Sequence, residues 1–208
     1  MVKKWGIYFR YPLLFAVVLT LFAWRLHAED EEPAAINPFE KKTNQREDVL
    51  PGYLELSDGS IHVGQIYLTR DKRLKIADEA SQRQREVPLS DVKQIECTVK
   101  KEWMEKEWKF KELTKDEKIY TGRTYPAREY EHTITLNDGR TISGELSAVV
   151  YVQSSADAKP EQFLLNKRNK GEIGGDLKSL IYVKRIKLGK EALQEGKEKA
   201  AKKKVAGG

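Results

Sequence analysis

The chain has very few of the residues that build disulfide frameworks, metal centres or nucleophilic active sites. Its 208 residues include one cysteine, Cys97, and three histidines. A single thiol excludes an internal disulfide, and the apolar neighbours of Cys97 favour a buried, inert side chain over an intermolecular bridge. The sequence contains no zinc-binding, P-loop or nucleophile-elbow motif. It therefore predicts no metal, no cofactor and no catalytic residue, and a fold that is stabilised by packing alone.

Long apolar runs are also scarce, and the longest one lies near the start. Residues 12–24 are thirteen uncharged residues that follow three cations, Lys3, Lys4 and Arg10. This length is typical of a signal peptide and short for a spanning helix, which needs about 20 apolar residues. We expect residues 1–28 to be a signal peptide cleaved after Ala28, or less favourably after Ala23. The alternative is an uncleaved membrane anchor. Either way, the segment predicts export to the periplasm or cell envelope.

The basic charge of the chain comes largely from that segment. The whole sequence has 38 basic and 32 acidic residues, and residues 1–28 hold four of the bases and no acid. The remaining 34 bases and 32 acids leave no electrostatic footprint for nucleic acid. We therefore expect no nucleic-acid partner. Contact with a membrane is expected only through an uncleaved signal or the lysine-rich tail at 189–208.

A repeat occupies the centre of the sequence. Residues 53–66 align with residues 133–146, and four positions are identical: Leu56 with Leu136, Asp58 with Asp138, Gly59 with Gly139, and Gly64 with Gly144. Each block alternates in hydrophobicity around an Asp-Gly pair, which predicts a β-hairpin with a structural turn. The later glycine interrupts a strand and predicts a bulge or sharp bend. Turn chemistry explains both aspartates, so neither is assigned to catalysis.

Matching segments follow each hairpin, with residues 91–95 resembling 176–180. The sequence thus predicts a mostly β protein with two tandem small barrels, at 49–99 and 132–188. Residues 29–48 are acidic and predict a disordered leader. Residues 189–208 predict a polar, solvated C-terminal helix.

The segment between the repeats, residues 100–131, is rich in aromatic and charged residues. Residues 101–113 favour a short helix, although their alternation also fits extended strands. Aromatic and basic side chains of this kind are enriched at interfaces, and the predicted interaction surface comprises Trp103, Trp108, Phe110, Tyr125, Lys167, Arg168 and Lys170. The alternative is that the rings pack between the two barrels. His62 and His132, each on a predicted strand, are interpreted as structural or surface residues.

Residues 136–146, with their Asn-Asp-Gly turn and Gly-Glu-Leu end, resemble the first motif of Sm-like barrels. Related hairpins occur in other SH3-like barrels, so the resemblance implies a fold. Sm-like proteins bind RNA through a second motif with an Arg-Gly pair, and this chain has no such pair before Ile95 or Leu180. The whole chain also resembles exported proteins of planctomycete-type bacteria, a resemblance that supplies no activity.

Together these features predict a non-catalytic exported binding or scaffold protein of the cell envelope. Its expected partner is a protein or an envelope polymer. Two alternatives stay open: a carboxylate-based hydrolase or enzyme accessory subunit, and an Sm-like nucleic-acid-binding protein.

Overall fold

The computed structural model describes residues 46, 48–112 and 116–206, with side chains to residue 203. These residues form eleven strands: β1 (Leu50–Leu56), β2 (Ile61–Leu68), β3 (Leu74–Asp78), β4 (Arg83–Val87), β5 (Val92–Phe110), β6 (Lys118–Leu136), β7 (Thr141–Leu146), β8 (Ala148–Gln153), β9 (Glu161–Leu165), β10 (Arg168–Lys170) and β11 (Val183–Leu188). Leu89–Asp91 and Leu177–Ser179 form 3-10 turns, and Lys190–Ala206 forms the helix α1. The predicted signal peptide and the leader up to residue 45 lie outside the described residues.

All of these strands join one antiparallel sheet that curls into a half-barrel. Its order is β4-β3-β7-β6-β5-β11-β1-β2-β8-β9, and β10 pairs with β6 beyond the end of β7. The predicted mostly β chain with a C-terminal helix is confirmed. The helix favoured over residues 101–113 is wrong, because β5 runs through this segment and pairs with β6.

The strands of the two sequence repeats are exchanged within this sheet. β2 of the first repeat pairs with β8 of the second, and β7 of the second pairs with β3 of the first. The counterparts in the two repeats are β1 and β6, β2 and β7, β3 and β8, β4 and β9, and β5 and β11. When each strand is replaced by its counterpart, the strand order becomes the same order read in reverse. Each half of the sheet therefore combines the opening hairpin of one repeat with the middle hairpin of the other.

The short connection between β7 and β8 prevents the second repeat from closing on itself. Only Ser147 separates the two strands. A tight β-hairpin needs about two loop residues, so β8 cannot fold back on β7 and continues to β2. The buried apolar side chains of both repeats accordingly form one hydrophobic cluster.

The two Asp-Gly pairs lie in matching turns. Gly59 and Gly139 have φ values of 79° and 87°, a left-handed conformation that glycine adopts without steric cost. The carboxylates of Asp58 and Asp138 each accept a hydrogen bond from the backbone amide two residues later, at 2.8 and 2.9 Å. These aspartates therefore stabilise turns.

Gly64 and Gly144 have a different role from the one predicted. The pairing of β1 with β2 passes through Gly64 without a change of register, so of the predicted bulge or sharp bend, the bulge is wrong at this position. A Cβ added at Gly64 would overlap the carbonyl oxygen of Gln153, and one at Gly144 would overlap that of Ala77. Each glycine therefore lets the exchanged hairpin of the other repeat approach its backbone.

The predicted equivalence of Ile95 with Leu180 is also wrong. Ile95 pairs with Ile134 of the second opening hairpin, and Ile186 pairs with Leu54 of the first. Since Leu54 and Ile134 are equivalent in the repeat, Ile95 corresponds to Ile186. The shift arises because β5 follows its 3-10 turn directly, whereas residues 180–182 separate the second turn from β11.

Helix α1 packs against the sheet, which differs from the solvated, frayed end expected. A Cβ added at Gly196 would lie 2.5 Å from Cβ of Tyr53, so the helix approaches β1 closely. Glu195 accepts hydrogen bonds of 2.9 Å from Lys187 and from the Tyr53 hydroxyl and forms a 2.9 Å ion pair with Lys199. The lysine hydrogen bonds lower the pKa of Glu195 to about 2. Within the described range, none of the helical segments has the length and apolar character needed to cross a bilayer.

Candidate interaction surface

The longest strands of the sheet form an arm, defined here as residues 99–110 of β5 and 118–130 of β6. Both β5 and β6 have 19 residues, whereas strands in globular proteins usually have roughly 3–10. The arm pairs from Val99 with Tyr130 out to Phe110 with Lys118. Aromatic and β-branched residues of β6 favour this extended pairing over the helix that residues 101–113 would prefer locally.

The root of the arm, residues 99–105 and 125–130, brings four of the predicted surface residues together with β10. β10 pairs Arg168 with Glu129 and Lys170 with Ala127 of β6. The Arg168 guanidinium contacts the Glu105 carboxylate and lies 5.0 Å from the ring centroid of Trp103. Nζ of Lys170 lies 3.2 Å from the Tyr125 hydroxyl oxygen.

Glu105 is the centre of this root cluster. Its partial burial acts to raise its pKa, but hydrogen bonds from Tyr125 and Arg168 and the nearby Lys170 hold that pKa below the ordinary glutamate value. The carboxylate therefore stays ionised and compensates both cations. Trp103, Tyr125, Arg168 and Lys170 stabilise the base of the arm through contacts with one another.

Lys167 lies apart from this cluster. Its Nζ is 3.3 Å from the Glu145 carboxylate, and both side chains are exposed. Residues 168–170 form strand β10, which pairs with β6. Their cations are therefore paired within the sheet and do not converge on an anion site.

The tip of the arm, residues 106–110 and 118–124, carries the remaining predicted aromatics. Trp108 lies opposite Tyr120 and Phe110 lies opposite Lys118, so all four side chains share one face. The Trp108 and Phe110 rings meet edge to face with centroids 5.1 Å apart, and Nζ of Lys118 lies 4.1 Å from the Trp108 centroid. Trp108, Phe110 and Tyr120 are 36%, 49% and 61% exposed.

An irregularity in β6 sets the orientation of the tip. Three β6 residues, 121–123, oppose the single β5 residue Glu107. The Glu107 carboxylate contacts the Thr121 hydroxyl and accepts a 2.8 Å hydrogen bond from Nε of Arg123. These contacts hold the pKa of Glu107 below its usual value. The position of Tyr120 beside Trp108 was not predicted, because the β5–β6 register that places it there is not visible in the sequence.

A clamp at Arg128 joins the arm to the segment before β11. Arg128 is buried and donates hydrogen bonds of 3.0 and 2.9 Å to the carbonyl oxygens of Leu180 and Leu177. It also forms a 2.9 Å ion pair with Glu102. The amides of Gly171 and Gly174 donate to carbonyls of β6, so this segment covers the edge of the arm root. Neither the clamp nor its partners were predicted.

The two predicted structural histidines lie in different places. His62 is partly exposed, forms a 2.7 Å contact with Glu161 and packs against the Phe163 ring. His132 is 1% exposed and lies opposite Cys97, which is also buried. Burial raises the pKa of Cys97 to about 12, so the thiol stays protonated and unreactive.

The burial of His132 makes stability depend on pH. Burial lowers its pKa from 6.5 to about 4, so the unfolded chain binds more protons between these values. The stabilising contribution is full above pH 6.5 and decreases as the pH falls towards 4. We expect the free energy of unfolding to drop by about 2 kcal/mol between pH 7 and pH 5 from this group alone. Urea unfolding across this range measures it, and an equal drop in His132→Leu would contradict the assignment.

A cleft lies between β4 and β7. It has a volume of about 370 Å³ and is lined by Arg85, Glu86, Asp91, Arg140 and Thr141 together with apolar residues. Arg85 pairs with Asp78 and Arg140 pairs with Asp138. The described ranges also contain no group of three or more histidine, cysteine or acidic side chains able to hold a metal ion.

The tip of the arm therefore carries a cluster of exposed aromatic rings, and this cluster makes it the candidate interaction surface. Comparison with known proteins supplies no precedent for it. No protein-family profile, curated protein or solved structure matches this chain.

Proposed function

We propose that this protein is a non-catalytic, exported binding or scaffold protein of the cell envelope, and that the tip of its arm captures the partner. The observation that carries the proposal is the exposed cluster of Trp108, Phe110 and Tyr120 on one face of a two-stranded ribbon. Tryptophan and tyrosine are the residues that most often dominate binding energy at interfaces. The partner is a protein or an envelope polymer.

The position of the cluster supports binding over packing. An isolated two-stranded ribbon is at best marginally stable in water. Exposed rings on such a ribbon gain free energy when a partner covers them, at about 25 cal/mol per Å² of apolar area. In contrast, Trp103 and Tyr125 already pack against cations of β10 at the root. The tip residues therefore serve recognition, and the root residues hold the arm in place.

The proposal also covers the fold and the cellular location of the protein. Each half of the sheet holds five strands that include one Asp-Gly hairpin, which supports a pair of SH3-like or Sm-like units with exchanged hairpins. The charged n-region and the apolar residues 12–24 support export. Mass spectrometry of the mature N-terminus tests this: cleavage after Ala28 or Ala23 supports it, and an intact N-terminus in the cytoplasm contradicts it.

The binding role is tested by removing the tip rings. We expect the double variant Phe110→Ser and Tyr120→Ser to weaken capture from envelope extract by at least about 30-fold, because two binding anchors are lost. The melting temperature should change by no more than a few degrees, since both rings are exposed. Capture is measured by pull-down with mass spectrometry, and binding to the isolated partner by calorimetry.

Leu164→Ser is the matched control, because Leu164 is an exposed apolar residue on β9, outside the arm. It should leave capture unchanged. Equal loss of capture in both variants would contradict a role for the tip, and turnover of an envelope polymer by the purified protein would contradict the non-catalytic assignment. Unfolding of the double variant would instead support packing.

A further inference from the structure

The outer edge of β5 is exposed along the arm. β11 pairs with β5 only at residues 94–96. Among the described strands, none pairs with this edge beyond residue 96, while the other edge of β5 is occupied by β6. The backbone of residues 97–110 thus presents amide and carbonyl groups that can accept a further strand.

The side chains on this edge have an unusual symmetry. Glu105 and Glu107 precede Trp108, and Lys109 and Lys111 follow it at the same distances. Charges on an edge strand normally discourage pairing with other chains. Here the signs reverse about Trp108, so a second identical strand running in the opposite direction meets each carboxylate with an ammonium group.

We propose that the arm binds the arm of a second copy of this chain, edge to edge, with Trp108 at the two-fold axis. In this register Glu107 lies opposite Lys109 of the second copy, and Glu105 lies opposite Lys111. By symmetry these pairs occur twice, which gives four oppositely charged cross-strand pairs. The two Trp108 rings lie opposite each other on the other face.

Neighbouring registers are opposed by the same charges. An antiparallel two-fold pairing must be centred on a residue, because opposite residues share a face. Moving the centre by one residue places Glu107 opposite Glu107, or Lys109 opposite Lys109. Like charges directly opposite destabilise a sheet. The sequence around Trp108 therefore favours one register.

The proposed pairing keeps the existing contacts of the arm. Lys111 forms an ion pair with Glu117 within one chain, and its ammonium group has three donors. Glu107 bonds to Arg123 and Glu105 to Arg168 within one chain. A carboxylate has two oxygens with about four acceptor sites, so each accepts a lysine of the second copy as well. The result is a four-stranded sheet with both tip clusters on one face.

This inference goes beyond the proposed function, and the dimer would strengthen partner capture by the tip. Joining two tips presents two aromatic clusters to one partner surface, and a second binding event then occurs at high effective concentration. A repetitive envelope polymer or an oligomeric partner would be bound more tightly by the pair than by one arm.

Charge reversal tests the register. In sedimentation-velocity experiments over a concentration series, the purified protein should dimerise, and Lys109→Glu should weaken dimerisation by about tenfold or more, because it places carboxylates opposite carboxylates. Glu107→Lys should do the same. An equimolar mixture of the two variants should restore the dimer, since each reversed charge then meets its opposite.

Lys106→Glu is the charge-matched control, because Lys106 lies opposite Phe110 of the second copy in this register. It should dimerise as the unchanged protein does. A monomer at every concentration, or dimerisation that is insensitive to Lys109→Glu, overturns the proposal. If Glu107→Lys fails to fold, Trp108→Cys replaces it: under oxidation it should cross-link much faster than Tyr120→Cys, and equal rates overturn the proposal.

The outcomes separate this inference from the proposed function. If Lys109→Glu is monomeric and still captures the partner with a weaker apparent affinity, both hold. If the protein never dimerises yet loses capture in the tip variant, only the dimer is wrong. If it dimerises as described but the tip variant captures normally, the proposed function is wrong and the dimer stands.

Discussion

Replacing Gly144 by alanine is expected to abolish folding or to cost more than about 4 kcal/mol. The added Cβ would overlap the carbonyl oxygen of Ala77, a backbone atom in β3 of the other repeat. Backbone cannot move aside as a flexible side chain does, so β3 and β7 would have to separate. Gly64→Ala should have a similar effect, because its Cβ would overlap the Gln153 carbonyl in β8.

The measurement is urea unfolding followed by circular dichroism, or the yield of soluble protein where the variant does not fold. Gly139→Asn is the control, because position 139 needs a positive φ that asparagine tolerates and an added Cβ meets no atom within 4 Å. It should change stability by less than about 1 kcal/mol. A stable, cooperatively folded Gly144→Ala protein would contradict the close approach of the exchanged hairpin.

The sequence repeat predicts that Gly64 and Gly144 are equivalent. It does not predict that each is needed because a backbone carbonyl of another strand approaches it closely. Alternation and an Asp-Gly pair are local signals, and they define the two opening hairpins correctly. Which strand then pairs with β2 depends on chain connectivity, and in particular on the single residue Ser147 between β7 and β8. A one-residue connection can be read from a sequence only after the strand bounds are known, so the exchange of hairpins was not predictable.

In the arm, long-range strand pairing overrides the local conformational preference of the sequence. Residues 101–113 favour a helix by intrinsic propensity, yet residues 101–110 of this segment pair with residues 118–129 in the sheet. Helix propensity is worth at most about 0.7 kcal/mol per ordinary residue, and pairing along a whole strand outweighs it. Trp108 and Phe110 were predicted as surface residues, whereas the placement of Tyr120 beside them follows from the register alone.

Replacing Arg128 by alanine is expected to cost about 3 kcal/mol or more, because it removes a buried cation that several groups share. The carbonyl oxygens of Leu177 and Leu180 lose their guanidinium donors, and Glu102 loses its ion pair. Arg128→Lys should recover less than half of the loss, because one ammonium group cannot reproduce the planar fork of the guanidinium.

The loss of stability should include a local effect, because Arg128 fixes the segment that covers the arm root. The amides of Gly171 and Gly174, which donate to the carbonyls of Pro126 and Thr124, should exchange with solvent faster in Arg128→Ala. Urea unfolding and hydrogen exchange measure the two effects. Arg140→Ala is the control, because Arg140 is exposed and a solvent-exposed ion pair such as that with Asp138 adds little to stability. Equal destabilisation by the two substitutions would contradict the clamp. If the amides of the arm also exchange faster in Arg128→Ala, in which the tip rings are unchanged, then Arg128 helps to position the binding surface.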